Sequence, residues 1–208
     1  MVRRLVTLIG LLVSLGAVPA RTNAAPLINL GFDGLALGPF AGYTQSGFDV
    51  DPLSGTWLTR TSYGKPAPFV YFEGFEYLQP SVSASLEITD GGDAFTFKSV
   101  DLYSSVTKIP WVFTGFRNGV EVFSANGEVP NTFGLFVTTA NPFGSTEIDR
   151  LVIALTQPIN VTCDCGALNP MGPDNIVVQR VPEPGTMLLF SSALAVTGAW
   201  RRRRTSSR

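Results

Sequence analysis

Two cysteines, Cys163 and Cys165, stand with one aspartate between them in a chain of 208 residues that contains no histidine. The missing imidazole excludes Ser-His-Asp and Cys-His catalysis and histidine-ligated zinc. A Cys-x-Cys pair with no further Cys or His lacks the ligands for a metal. Outside the cytoplasm it closes a strained local disulfide, stays reduced, or pairs between chains. Carboxylates form two close pairs, Glu73 with Glu76 and Asp90 with Asp93. Glycoside hydrolysis needs two carboxyl groups about 5 to 9.5 Å apart. Both pairs have simpler explanations: Asp90 and Asp93 bracket Gly91-Gly92, and Glu73 and Glu76 surround Gly74 in loop-like sequence. With no nucleophile motif and no glycine-rich phosphate loop, the residues argue against an enzyme. The aromatics Trp57, Tyr63, Tyr71, Tyr77, Tyr103 and Trp111 have flat faces and polar tips that can stack on sugars, although core packing suits most of them. Trp57 and Tyr63 fall in the turn-rich stretch 55–68, off any clear core face, and are the candidate sugar platform.

The elements that must position these residues read as strands. Apolar residues make up 45% of the chain and charged ones 15%, enough for one domain with a core. Glycine (21), proline (15) and phenylalanine (15) are plentiful, and long runs of helix formers are missing. SVSASLEIT (81–89) alternates, with Val82, Ala84, Leu86 and Ile88 on one face, and the turn Asp90–Asp93 leads into a new strand; the pair predicts a hairpin. In AFTFKSVDLY the apolar phase switches between Phe97 and Val100, which requires a bulge near Lys98 and Ser99 or a crossing between sheets. Asn118-Gly119 within WVFTGFRNGVEVFS predicts a type I′ hairpin. Further strands are expected at 26–30, 43–48, 56–61, 69–72, 133–138, 148–155 and 175–181. About ten short strands with frequent turns imply an all-β, antiparallel β-sandwich.

The ends differ from the middle. MVRRLVTLIGLLVSLGAVPARTNA (1–24) has Arg3 and Arg4, an apolar run and small residues before Ala20 and Ala24, the layout of a signal peptide read by the general secretion machinery. Eight of the fifteen basic residues lie in the two ends (Arg3, Arg4, Arg21, Arg201, Arg202, Arg203, Arg204, Arg208). Residues 25–181 are left with seven basic against fifteen of the sixteen acidic side chains, a net −8. Such a body repels phosphate backbones, so nucleic acid is excluded as a partner. From Thr186 to Trp200 runs an apolar segment followed by Arg201 to Arg204. It is short for a membrane span but extendable by Trp200 and the arginines, which hold the C-terminus cytoplasmic and leave the body outside.

Val181-Pro182-Glu183-Pro184-Gly185, the apolar run and the four arginines together resemble the PEP-CTERM sorting signal of exported bacterial proteins. The resemblance implies an exosortase-type membrane protease that recognises Pro182-Glu183-Pro184 and cuts off the anchor. The protein would be an inner-membrane precursor whose mature form reaches the cell surface or extracellular matrix, in bacteria that make exopolysaccharide and biofilm. Two prolines deny the backbone helical hydrogen bonds and keep Glu183 extended and accessible.

The phrases FDGL (32–35), FTFKSVDL (95–102), FTGFRNGVEVF (113–123), EIDRLVI (147–153) and GPDNIVV (172–178) are similar to jelly-roll domains of such proteins, themselves similar to galactose-binding and carbohydrate-binding modules. This implies sugar binding as an alternative role. It also implies a structural Ca2+ between first and last strands, with Asp33, Asp174 and Asn175 as its ligands. The other reading of Asp33 and Asp174 is as turn residues making Asx hydrogen bonds. The expected organisation is a signal helix (1–24), a jelly-roll-like sandwich (25–180), the sorting signal (181–204) with a transmembrane helix (186–200), and a tail (205–208).

Overall fold

The computed structural model describes residues 25–61, 69–72, 81–104, 108–130, 135–158 and 171–182. The expected signal helix and transmembrane helix lie outside them. The described residues form strands β1 (Leu27–Leu30), β2 (Gly38–Pro39), β3 (Tyr43–Gln45), β4 (Phe48–Ser54), β5 (Trp57–Arg60), β6 (Phe69–Phe72) and β7 (Ser81–Thr89). They continue with β8 (Phe95–Ser104), β9 (Ile109–Arg117), β10 (Val120–Val129), β11 (Phe136–Ala140), β12 (Arg150–Pro158) and β13 (Met171–Arg180). One sheet runs β11-β8-β13-β6-β5-β2, with β1 also on β13; the other runs β10-β9-β12-β7-β4-β3. The pairs are antiparallel, for example β1 on β13, β8 on β13 and β12 on β7. The body is an all-β, jelly-roll-like sandwich.

Period-two patterning builds the core between the sheets. Ala84, Leu86 and Ile88 of β7, and Leu151, Ile153 and Leu155 of β12, are fully or almost fully buried. Each such leucine or isoleucine contributes about 1.5–3 kcal/mol by leaving water. Phe97 meets Phe113 edge to face at 5.2 Å, and Trp111 stacks on Phe113 at 4.2 Å. Trp111 lies over its cross-strand partner Gly127, where a Cβ would stand 2.5 Å from the indole. Only a glycine leaves room for that ring.

The phase switch in β8 is a bulge. Val177 pairs with Ser99 and Val178 with Phe97, which leaves Lys98 as the extra residue. Phe95 and Phe97 therefore face the core together with Val100 and Leu102. The type I′ turn is as expected: Arg117 pairs with Val120, and Asn118 and Gly119 have φ of 52° and 77°.

Two strand expectations need correction, and β4 is not among the expected strands. β7 and β8 are not a hairpin, because β7 belongs to the six-stranded sheet and β8 to the seven-stranded one; the Asp90–Asp93 turn is a corner between them. Residues 43–48 are not one strand: Ser46 (φ 55°) and Gly47 (φ 87°) form a second two-residue turn joining β3 to β4. β4 itself escapes sequence reading because of Pro52. Pro52 is tolerated because β3 pairs only with Phe48 to Val50, so the missing N–H falls where the strand has no β3 neighbour.

Candidate functional site

β13 carries the body's last residues to the point where the tail begins. The Arg180 guanidinium donates twice to Asp90, Nε to Oδ2 and Nη2 to Oδ1, both at 2.6 Å. The same Nη2 donates to the Ser46 carbonyl at 2.7 Å. The guanidinium carbon lies 5.0 Å from the Phe48 ring centroid. Asp90 is buried whereas the Arg180 side chain is 41% exposed, so the pair reaches from the interior into water. The hydrogen bonds to Asp90 raise the pKa of Arg180. Gly47 lies beneath it: its positive φ favours glycine, and a Cβ would stand 2.5 Å from Nη2, so the guanidinium would have to shift. One residue on, the Val181 N–H donates to the Ala94 carbonyl at 2.9 Å. Pro182 is exposed. Glu183, Pro184, Gly185 and Arg201 to Arg204 lie outside the described residues.

Near its start β13 bulges between Asp174 and Val177. Asn175 adopts φ 49°, a left-handed conformation that asparagine tolerates better than most residues. Its Nδ2 donates to Asp101 Oδ2 at 2.9 Å, and its Oδ1 accepts from Asn29 Nδ2 at 2.9 Å. Asp101 Oδ1 accepts from Thr138. Asn175 thus ties β1, β8 and β13 together, with β11 joined through Asp101. Asp174 is buried, and its Oδ1 accepts the Asn175 N–H at 2.8 Å. Nearby, Tyr43 donates to the Gly31 carbonyl at 2.7 Å, and Gln45 Oε1 accepts the Gly31 N–H at 3.1 Å. Burial first, and the Asp174 carboxylate second, push the Tyr43 phenol well above its usual pKa.

Asp174 bonds the N–H of the next residue, whereas an Asx turn bonds the one two positions on, so this bond is not the expected Asx bond. Calcium takes six to eight hard oxygens. Asp33 is exposed in a turn whose closing bond runs from Leu35 N to Phe32 O. Asn175 has its amide oxygen engaged by Asn29. No group of three or more His, Cys, Asp or Glu among the described residues is placed to hold a metal.

The aromatic platform also needs correction. Trp57 is 1% exposed, packs in the core, and donates its indole N–H to the Ser54 carbonyl at 2.9 Å. Alternation in β5 buries Trp57 and Thr59 together, so its ring presents no face to a ligand. Tyr63, Cys163 and Cys165 lie outside the described residues, as do Glu73 and Glu76. A different face emerges on the outside of the six-stranded sheet. Arg150 lies 3.9 Å above the Phe116 ring and bonds Glu87 at 3.0 Å. Glu87 pairs across the strands with Asp51, and Thr44 donates to Asp49 at 2.6 Å. Partial burial, then Asp49 and Glu87, raise the pKa of the Asp51 carboxyl. The outward phase of alternation marks Glu87 as solvent-facing in the sequence, but Arg150 and Asp51 beside it, and Phe116 under Arg150, come from three other strands.

Residues 180–204 match the PEP-CTERM protein-sorting motif. The chain carries an exosortase sorting signal. It therefore belongs to an exported protein that is membrane-anchored as a precursor. No curated protein matches the chain. Among solved structures, the chain is similar to TmCBM61 in complex with β-1,4-galactotriose at 13% identity and a TM-score of 0.40, over 65% of this chain and 90% of that one. It is also similar to CBM29_1, a family 29 carbohydrate-binding module from Piromyces equi, at 12% identity and 0.42, over 76% and 93%. A DUF4465 family protein from Bacteroides caccae is similar at 10% identity and 0.41, over 77% and 95%. At these scores the likeness carries no weight beyond the sheets already described.

Proposed function

We propose that the protein is a non-catalytic component of the bacterial cell surface or extracellular matrix, released from its anchor by an exosortase-type protease acting at Pro182-Glu183-Pro184. The observation that carries this reading is the abutment of body and signal: among the described residues the last one bonded to the sandwich is Val181, and the motif begins at Arg180. The acidic body suits a hydrated polysaccharide matrix, so exopolysaccharide or biofilm is the proposed setting. The test is the mass of the cell-surface form in a host with an exosortase. Wild type should lack Thr186 to Arg208, and Pro182→Ala/Pro184→Ala should remain as membrane precursor. A surface form that keeps its arginines would refute the reading.

A second reading, that the body binds carbohydrate, is favoured by the outer face of the six-stranded sheet. There a guanidinium stacked on an aromatic ring sits beside carboxylates and hydroxyls able to bond sugar hydroxyls. Retardation in affinity electrophoresis through neutral polysaccharide gels should be lost in Arg150→Ala. Equal mobility of both proteins in all gels would dismiss it.

A further inference from the structure

Arg180 is both the last residue of β13 and the first of the sorting motif, so body and signal overlap without a linker. Peptide-binding clefts that take an extended strand rely on its main-chain hydrogen bonds. On the body side of Pro182 the residues available to a protease are Val181 and Arg180. The Val181 N–H is spent on Ala94, and the Arg180 side chain is held by Asp90 and Ser46. Pro182 follows Val181 directly, so the motif's first proline stands one residue from the bond to Ala94 and two from the arginine that touches the turns at 46–47 and 90–93.

We infer that the Arg180–Asp90 pair gates the processing reaction: the protease engages the motif productively when the end of β13 peels away from Asp90 and Ala94. This rests on the sorting reading above and adds a pair of positioning residues to it. Strand ends open locally at a free-energy cost below that of global unfolding, and removing one restraint raises the open population. The pair is suited to such a role. Its arginine is already partly in water, its aspartate lies outside the motif, and its second anchor, Ser46, belongs to the turn between two strands of the other sheet. The clamp forms only where the two sheets have come together.

The experiment is pulse-chase conversion of full-length precursor to mature form in cells containing the protease. Asp90→Asn weakens the clamp and leaves the motif intact. Gly47→Ala does so by a second route, placing a methyl against Nη2 without changing a charge. A Gly-Ser-Gly-Ser insertion between Val181 and Pro182 frees the motif while the clamp stays closed. Each should speed conversion about tenfold, equivalent to about 1.4 kcal/mol of lost restraint. Asp90→Asn combined with the insertion should be no faster than the insertion alone. Wild-type rates in Asp90→Asn and Gly47→Ala overturn the gate, whether or not the insertion accelerates conversion, since the clamp would then not be what limits access. If wild type and Pro182→Ala/Pro184→Ala keep the same unprocessed mass, the sorting reading falls and the gate with it. If wild type is processed and only the clamp variants are indistinguishable from it, the gate alone falls.

Discussion

The two halves of β13 are held by different arrangements of bonds to carboxylates. At Asn175 an amide, two aspartates, a second asparagine and a threonine form a network that joins four strands of one sheet. At Arg180 a single ion pair joins the strand's end to two turns, with one partner buried and the other half in water. The first arrangement fixes register, because the Asn175 bonds depend on the bulge geometry. The second closes an end, and a charged contact at a solvent boundary can open without disturbing the sheet. Interior register is thus secured by a web of bonds across four strands, and the exit by a clamp of a few bonds at its edge.

Removing the cation should show the largest difference between the two halves. Arg180→Met leaves the Asp90 carboxylate buried without its partner, and urea unfolding should show a loss of about 3 kcal/mol. Asp90→Asn, which leaves only an arginine that can turn to water, should lose about half of that. In the bulge, Asn175→Ala should cost about 2 kcal/mol, because it removes two side-chain bonds and puts a Cβ residue at positive φ. Asn175→Gly should recover the conformational part. If both substitutions cost the same, φ contributes nothing to that half.

Smaller effects sharpen the contrast. Tyr43, beside the bulge, has its phenol pKa raised by burial and by Asp174. The folded chain keeps that proton when the unfolded chain, with a pKa near 10, has lost it. The stabilisation is present below about pH 10 and disappears as pH rises from there through the folded value, with a slope of about 1.4 kcal/mol per pH unit. Tyr43→Phe should flatten the stability curve above pH 10, and an unchanged slope would remove Tyr43 from the account. The smallest effect expected is that of EDTA. With Asn175 and Asp174 spent on internal bonds, the melting temperature should not move, and a fall reversed by calcium would restore the metal reading.

Much of the sandwich was legible because its signals are local. Alternation in 81–89, Asn118-Gly119 and the phase switch at Lys98 each depend on residues a few positions apart. β4 was hidden by Pro52, and the corner at Asp90–Asp93 read as a hairpin, because a glycine-rich turn does not say whether the strands it joins will pair. Trp57 read as exposed for a similar reason: its flanks are rich in turns, yet β5 alternates and turns the indole inward.

By itself the sequence determined the tail's sorting signal, the strand period, the type I′ turn at 118–119 and the all-β class. These follow from side-chain alternation, backbone preference and charge order, which act within a short window. Tertiary structure alone decided that Arg180 would meet Asp90, ninety positions earlier, that Asn175 would bridge Asn29 and Asp101, and that Arg150, Phe116 and Glu87 would share one outer face. Such meetings depend on which strands lie side by side and in what register, and that order comes from packing the two sheets' apolar faces together. It is a property of the whole core, and no local stretch of sequence encodes it.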